Sequence, residues 1–308
     1  MQMKWRGVMP ATTTAFDENL NIDHAFVATH AQWLVDNGCT AIIAPGSLGE
    51  SATLSFDEKV ALWSTLIVAV GDRVPVVAAI ASLSTAEAVA LARRAADTGC
   101  SGLMVLPPYV YRSDWREMKA HIEAVFRATS LSCMLYNNPV AYGTDFLPEQ
   151  IRELAAEHEN LAAVKESSTD VRRITWIREL VGSRLDISVG VDDAIVEGIA
   201  AGAVGWVAGL VNALPKESVA LFNYALNGEH EKARELYYWF LPLLRMDTVP
   251  KFVQLIKLVQ QEVGMGSTRV RPPRLELIGQ ELEEAQQTIR HALETRIERS
   301  TSSAARNP

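Results

Sequence analysis

Eight short apolar runs punctuate the first two-thirds of the chain, at 7–12, 40–44, 74–80, 102–106, 132–136, 161–165, 186–190 and 203–208. Between them, segments 23–37, 55–70, 84–98, 115–129 and 148–158 place apolar residues at helical spacing. Strands that are apolar almost throughout belong to a parallel sheet covered on both faces. Successive runs lie mostly about 25–35 residues apart, the length of one strand–helix unit. Eight such units predict an α/β fold, a closed (β/α)8 TIM barrel. The rival is an open doubly wound sheet, which ordinarily carries a glycine-rich GxGxxG turn after an early strand. No GxGxxG occurs here.

Local signals agree with these helices. Ser55-Phe-Asp-Glu58 and Ser84-Thr-Ala-Glu87 match the capping box, and Gly38 and Gly99 stand where a helix C-terminus wants a left-handed residue. Beyond residue 225 the pattern becomes purely helical, at 230–244, 248–263 and 275–297. The expected organisation is a catalytic barrel over 1–225, a helical appendix of the same globular unit over 226–297, and a disordered tail over 298–308.

The chain has 308 residues, 48% of them hydrophobic, which excludes intrinsic disorder. Its formal net charge of −8 argues against nucleic-acid partners, which demand clustered Lys and Arg. No apolar run reaches membrane-spanning length and no signal-like segment opens the chain, so the expectation is a cytoplasmic protein without a membrane partner. Cys39, Cys100 and Cys133 lie far apart, without CxxC spacing, and read as small buried residues. The six histidines show no ligand spacing, so no metal site is expected.

In such a barrel the chemistry gathers at the C-terminal ends of the strands. Lys165 closes the sixth run, where the core would desolvate its ammonium and favour a Schiff-base nucleophile. The plainer alternative is a strand-ending lysine paired with Glu166. Tyr136 holds the equivalent place one strand earlier, either as a proton carrier or as a buried tyrosine with a satisfied hydroxyl. Gly46-Ser47-Leu48-Gly49 follows the second strand and offers backbone amides and a hydroxyl suited to a small carboxylate. Gly190 and Asp192 end the seventh, where Asp192 either holds substrate hydroxyls or caps its own loop. Glu50 reads as support for the second loop, and the aromatic stretch Tyr237–Phe240 as core or interface.

Together, Gly46-Ser47-Leu48-Gly49-Glu50-Ser51, Tyr136-Asn137-Asn138-Pro139 and Val164-Lys165-Glu166-Ser167 resemble the dihydrodipicolinate synthase / N-acetylneuraminate lyase family over roughly residues 5–295. The resemblance implies a Lys165 Schiff base with a 2-oxo acid or cyclic imine, Tyr136 as proton shuttle, and Ser47 in a hydroxyl relay that touches the substrate carboxylate. It implies substrate contacts by Gly46, Ser47, Leu48, Gly190 and Asp192. Tyr109 matches the tyrosine that completes the relay across a subunit interface, although Pro108 stands where members often have another tyrosine. A homotetramer, built as a dimer of dimers, and the absence of any cofactor are also implied.

Departures from the synthase pattern bear on substrate. Ala141 stands where synthases have the arginine that grips a second carboxylate, and Leu48 replaces a frequent threonine. The segments around Tyr136, Lys165 and Arg269-Val-Arg-Pro-Pro-Arg274 resemble a narrower group, the Δ1-pyrroline-4-hydroxy-2-carboxylate deaminases. The sequence therefore leads to the expectation of a deaminase releasing 2-oxoglutarate semialdehyde and ammonia. The alternatives are 4-hydroxy-tetrahydrodipicolinate synthase, a 2-keto-3-deoxy sugar acid aldolase or dehydratase, and a non-enzymatic 2-oxo acid binder.

Overall fold

The computed structural model describes residues 3–108 and 111–296. Eight parallel strands run in order β1 (Gly7–Pro10), β2 (Ile42–Ala44), β3 (Val76–Ile80), β4 (Gly102–Val105), β5 (Ser132–Asn137), β6 (Leu161–Glu166), β7 (Asp186–Val189) and β8 (Gly205–Ala208), each paired to its sequence neighbours. β1 pairs with β8, and the ring closes between β1 and β2 through the Ala11–Ile43 bridge. This is a (β/α)8 TIM barrel with a C-terminal helical appendix.

The helices in chain order are α1 (His24–Asp36), α2 (Phe56–Val70), α3 (Thr85–Thr98), α4 (Trp115–Arg127), the single turn α5 (Pro139–Tyr142), α6 (Pro148–Glu157), α7 (Arg172–Val181), α8 (Ile195–Ala200) and α9 (Pro215–Leu226). The appendix adds α10 (His230–Leu244), α11 (Phe252–Glu262) and α12 (Gly279–Glu294). The capping box at Ser55 forms in full. At Ser84 only half of it forms: the serine oxygen accepts from the Glu87 amide, while the Glu87 carboxylate takes the Ser82 hydroxyl instead. Gly38 and Gly99 adopt φ of +95° and +100°, which end α1 and α3 without the cost a side chain would bring.

Two appendix helices begin later than their apolar pattern suggests. Val249 precedes Pro250, and the residue before a proline is steered out of helical geometry, so α11 starts at Phe252. Gly279 takes φ +58°, which separates α12 from the extended segment before it. Residues 298–308, read as a tail, lie outside the described residues.

Strand alternation divides the core in two. Met9, Ile43, Val77, Met104, Met134 and Val207 fill the barrel interior, while their neighbours Val8, Ile42, Val76, Leu103, Leu135 and Trp206 pack outward against the helices. Cys39, Cys100 and Cys133 are buried, and burial pushes each thiol up to about 12. No described helix is long and apolar enough to cross a membrane.

The appendix is fastened to the barrel mouth by a buried ion pair. Glu50, at φ +56° in the loop after β2, accepts from Lys257 Nζ at 2.6 Å and from the Arg271 amide at 3.0 Å. Both side chains of the pair are almost fully buried. Arg271 in turn forks onto Glu58 at 2.6 and 3.0 Å, and both cations lie over the Phe16 ring. Removing one partner leaves an uncompensated buried charge. Lys257→Met is therefore expected to lower stability by about 3–5 kcal/mol in urea unfolding, and an unchanged midpoint would show the pair to be dispensable.

Candidate active site

At the C-terminal end of the strands lies a cavity of about 470 Å³. Its centre is set by strand register. Tyr136 on β5 is level with Lys165 on β6, and Asn137 with Glu166, so the first pair faces inward and the second outward. Lys165 is 6% exposed, and its Nζ lies 4.2 Å from the centre of the Tyr136 ring. Its ammonium has no hydrogen-bond partner among the described residues. The pairing with Glu166 considered from sequence does not form: Glu166 accepts from Asn137 Nδ2 at 3.1 Å and from the Ser168 amide at 2.7 Å. Burial pushes the Glu166 carboxyl up, against the pull of those hydrogen bonds.

The Tyr136 hydroxyl accepts from Asn138 Nδ2 at 3.0 Å. Asn138 also caps α5 by accepting from the Ala141 amide, so one side chain both holds the tyrosine and starts the turn that carries Val140, Ala141 and Tyr142 over the cavity. Ser47 does not reach Tyr136. Its hydroxyl bonds instead to that of Tyr142, whose ring meets the Tyr136 ring edge-on at 6.0 Å. Sequence reasoning missed Tyr142, although its place six residues after Tyr136 on a one-turn helix was a usable signal. Tyr109 lies outside the described residues.

Gly46, Ser47, Leu48 and Gly190 line the cavity. Gly190 is required for space: a Cβ there would sit 2.0 Å from Ser167 Oγ and 2.4 Å from Lys165 Cε. Ser167 Oγ is buried and has no partner among the described residues, which leaves a hydroxyl beside the lysine available to a ligand.

Asp192 corrects the sequence reading. It is fully buried and absent from the cavity wall, and its oxygens accept from Trp206 Nε1 at 2.9 Å, the Gly209 amide at 3.1 Å and the Leu210 amide at 2.7 Å. It caps the chain leaving β8 and has no face left for substrate. Burial raises its pKa to about 6 even though these donors favour the carboxylate. Among the residues that the appendix brings to the wall are two charged ones that sequence reasoning did not single out, Asp247 and Arg274. Of the aromatic stretch, Tyr237 and Phe240 are core, and Trp239 donates to the Ala292 carbonyl at 3.0 Å. Tyr238 is exposed. Glu123, Glu157 and His158 bring ligand atoms within 4.8 Å of one another on the outer helices, but the Lys119 ammonium sits 2.8 Å from Glu157 and serves as the group's cation.

Residues 4–292 match the sequence model of the Dihydrodipicolinate synthetase family. The chain belongs to that family. It is 37% identical over 240 residues to the 4-hydroxy-tetrahydrodipicolinate synthase of Natronomonas pharaonis, covering 78% of this chain and 81% of the relative. It is 30% identical over 274 residues to that of Methanocaldococcus jannaschii, covering 89% and 93%. Among solved structures it is similar to the 4-hydroxy-tetrahydrodipicolinate synthase of Methylacidiphilum fumariolicum, with a TM-score of 0.91, 28% identity and 94% and 97% of the two chains covered. The dihydrodipicolinate synthase of Bacillus anthracis aligns with a TM-score of 0.90, 30% identity and 94% and 99% covered. The protein is an enzyme of the dihydrodipicolinate synthetase family acting on small molecules.

The steric demand at Gly190 yields a direct test. Gly190→Ala pushes Lys165 and Ser167 aside without touching the hydrophobic core. On the Schiff-base reading proposed below, covalent capture of pyruvate by borohydride should fall roughly a hundredfold with the melting temperature nearly preserved. Wild-type capture would mean that the lysine is not held as described.

Proposed function

We propose that this enzyme is a Schiff-base lyase in which Lys165 attacks the carbonyl carbon of a small 2-oxo acid. The observation that carries the reading is a buried amine on the wall of a cavity, without a hydrogen-bond partner among the described residues and one strand from a tyrosine. Addition of the amine and loss of water give an imine, which acidifies the C3 hydrogen, and Tyr136 carries that proton. The Ser47 hydroxyl and the loop amides beside it suit the substrate carboxylate. Tyr142 extends the hydroxyl chain within the subunit, with Tyr109 joining from a neighbouring one.

The curated relatives are named 4-hydroxy-tetrahydrodipicolinate synthase, which supports condensation of pyruvate with aspartate semialdehyde as the first reading of the substrate. Arg274 adds to it. Half-buried on the appendix side of the cavity and without a side-chain partner among the described residues, it offers a guanidinium for a second carboxylate from a different element than position 141. Ala141 with Val140 and Leu48 favours the second reading, the deaminase, because that wall is apolar. The homotetramer belongs to the same proposal. Leu83 and Tyr111, in loops at the mouth after β3 and β4, are 65% and 59% exposed, as an intersubunit contact near Tyr109 would leave them in an isolated chain. Sedimentation should then give a species several times the protomer mass, and a fully active monomer at micromolar concentration would rule the assembly out.

A substrate panel tests the chemistry. Pyruvate with borohydride is expected to add mass to the peptide containing Lys165, and Lys165→Ala to lose both adduct and turnover while remaining folded. Condensation with aspartate semialdehyde should exceed every other activity. Ammonia release from Δ1-pyrroline-4-hydroxy-2-carboxylate above that rate would replace the first reading by the second, and labelling of a different lysine would remove both.

A further inference from the structure

The helical appendix enters the barrel mouth at one carboxyl. Between α10 and α11 a 3-10 turn, Arg245–Asp247, lays the Asp247 side chain against Gly209 at the end of β8. A Cβ on residue 209 would lie 2.0 Å from Asp247 Oδ1, so the space for this carboxyl exists because position 209 carries no side chain. Asp247 is half-buried and lines the same cavity as Lys165, Ser167 and Gly190. Other buried carboxylates of this region are spent on fixed donors, Asp192 on three and Glu50 on a lysine and an amide. The Asp247 carboxyl has no hydrogen bond or ion pair among the described residues. Burial and the adjacent Asp192 carboxylate push its pKa well up, against the pull of Lys165. The cavity thus favours the neutral acid, which carries a proton to give. Lys165 on β6 has Tyr136 on its β5 side and Asp247 on its β8 side, so a phenol and a carboxyl line different sides of the cavity around the amine.

We infer that Asp247 is a further catalytic residue, the general acid for the oxygen on C4 of the substrate, two bonds beyond the imine carbon C2. This rests on the Lys165 imine proposed above. Both substrate readings place an oxygen on that carbon. In a condensation, the enamine carbon C3 bonds to the acceptor's carbonyl carbon, which becomes C4. The C=O π pair moves onto oxygen, the oxygen takes the Asp247 proton, and the C2 iminium returns. In an elimination, the enamine π pair moves into a C3=C4 bond as the C4–O bond breaks, and the hydroxyl leaves as water with the same proton. Either course ends with an Asp247 carboxylate facing a cationic iminium, an arrangement that favours the product side of the transfer.

The test separates steps with and without a C4 oxygen in the full-length protein. Borohydride capture of pyruvate on Lys165, and exchange of pyruvate C3 hydrogens with deuterated solvent, involve none. In Asp247→Asn both should stay within about threefold of wild type, while turnover of the substrate chosen by the panel falls roughly a hundredfold or more. Unchanged turnover overturns the inference. So does a parallel fall in capture, exchange and turnover, the mark of a carboxyl that only holds the mouth together. Asp247→Ser, judged by the same three measurements, replaces Asp247→Asn if the latter does not fold. Failure of the wild-type enzyme to form the Lys165 adduct is a different outcome, and it removes the Schiff-base reading along with the role built on it.

Discussion

A closed sheet of eight parallel strands gives each strand a single inward row, and the two-residue alternation of the backbone decides which side chains enter it. Everything at the site follows from that constraint. Because Tyr136 and Lys165 are level across β5 and β6, both turn inward at the last layer of the barrel. Below them the interior is filled by residues such as Met134 and Ala163, which pack the floor beneath the amine. A shift of one residue in β6 would exchange Lys165 for Glu166 and turn the lysine out toward the helices, and one in β5 would exchange Tyr136 for Asn137.

The loops above this floor are held by polar groups with few alternatives. Asp192 gathers donors from the chain leaving β8, and Glu50 fixes the Ser47 loop to the appendix through Lys257 and the Arg271 amide. Each is a buried carboxylate stabilised only while its partners stay in place. The appendix is thereby part of the cavity wall, since the segment joined to Glu50 leads on to Arg274 and the turn before α11 brings Asp247 over Gly209.

Family and substrate rest on different residues. The lysine, the tyrosine and the glycine-rich loop, on which the proposed imine chemistry rests, lie on the strand ends and in the loop directly after β2. The wall above them is built differently, with α5 contributing Val140, Ala141 and Tyr142 and the appendix contributing Arg274. Ala141 alone argues against a second carboxylate. Arg274, on a different element, faces the same cavity, so the absence of an arginine at position 141 does not by itself deprive the wall of a guanidinium.

Eight apolar runs and the helical periods between them were enough to derive the barrel, because burial on both faces imposes the same composition on every parallel strand. The Lys165 and Tyr136 positions were legible for a related reason, each being a polar residue that ends an apolar run. The serine's partner, the place of Asp192 and the entry of Asp247 and Arg274 were not. Residues 47 and 142, or 165 and 247, are far apart in the chain, and no local propensity says which hydroxyl meets which or whether a carboxylate faces a cavity or a backbone amide. Asp192 has the same sequence signal whether it binds substrate or caps a loop. Only the three donors that converge on it in the folded chain distinguish the two, and those donors are assembled by the tertiary structure.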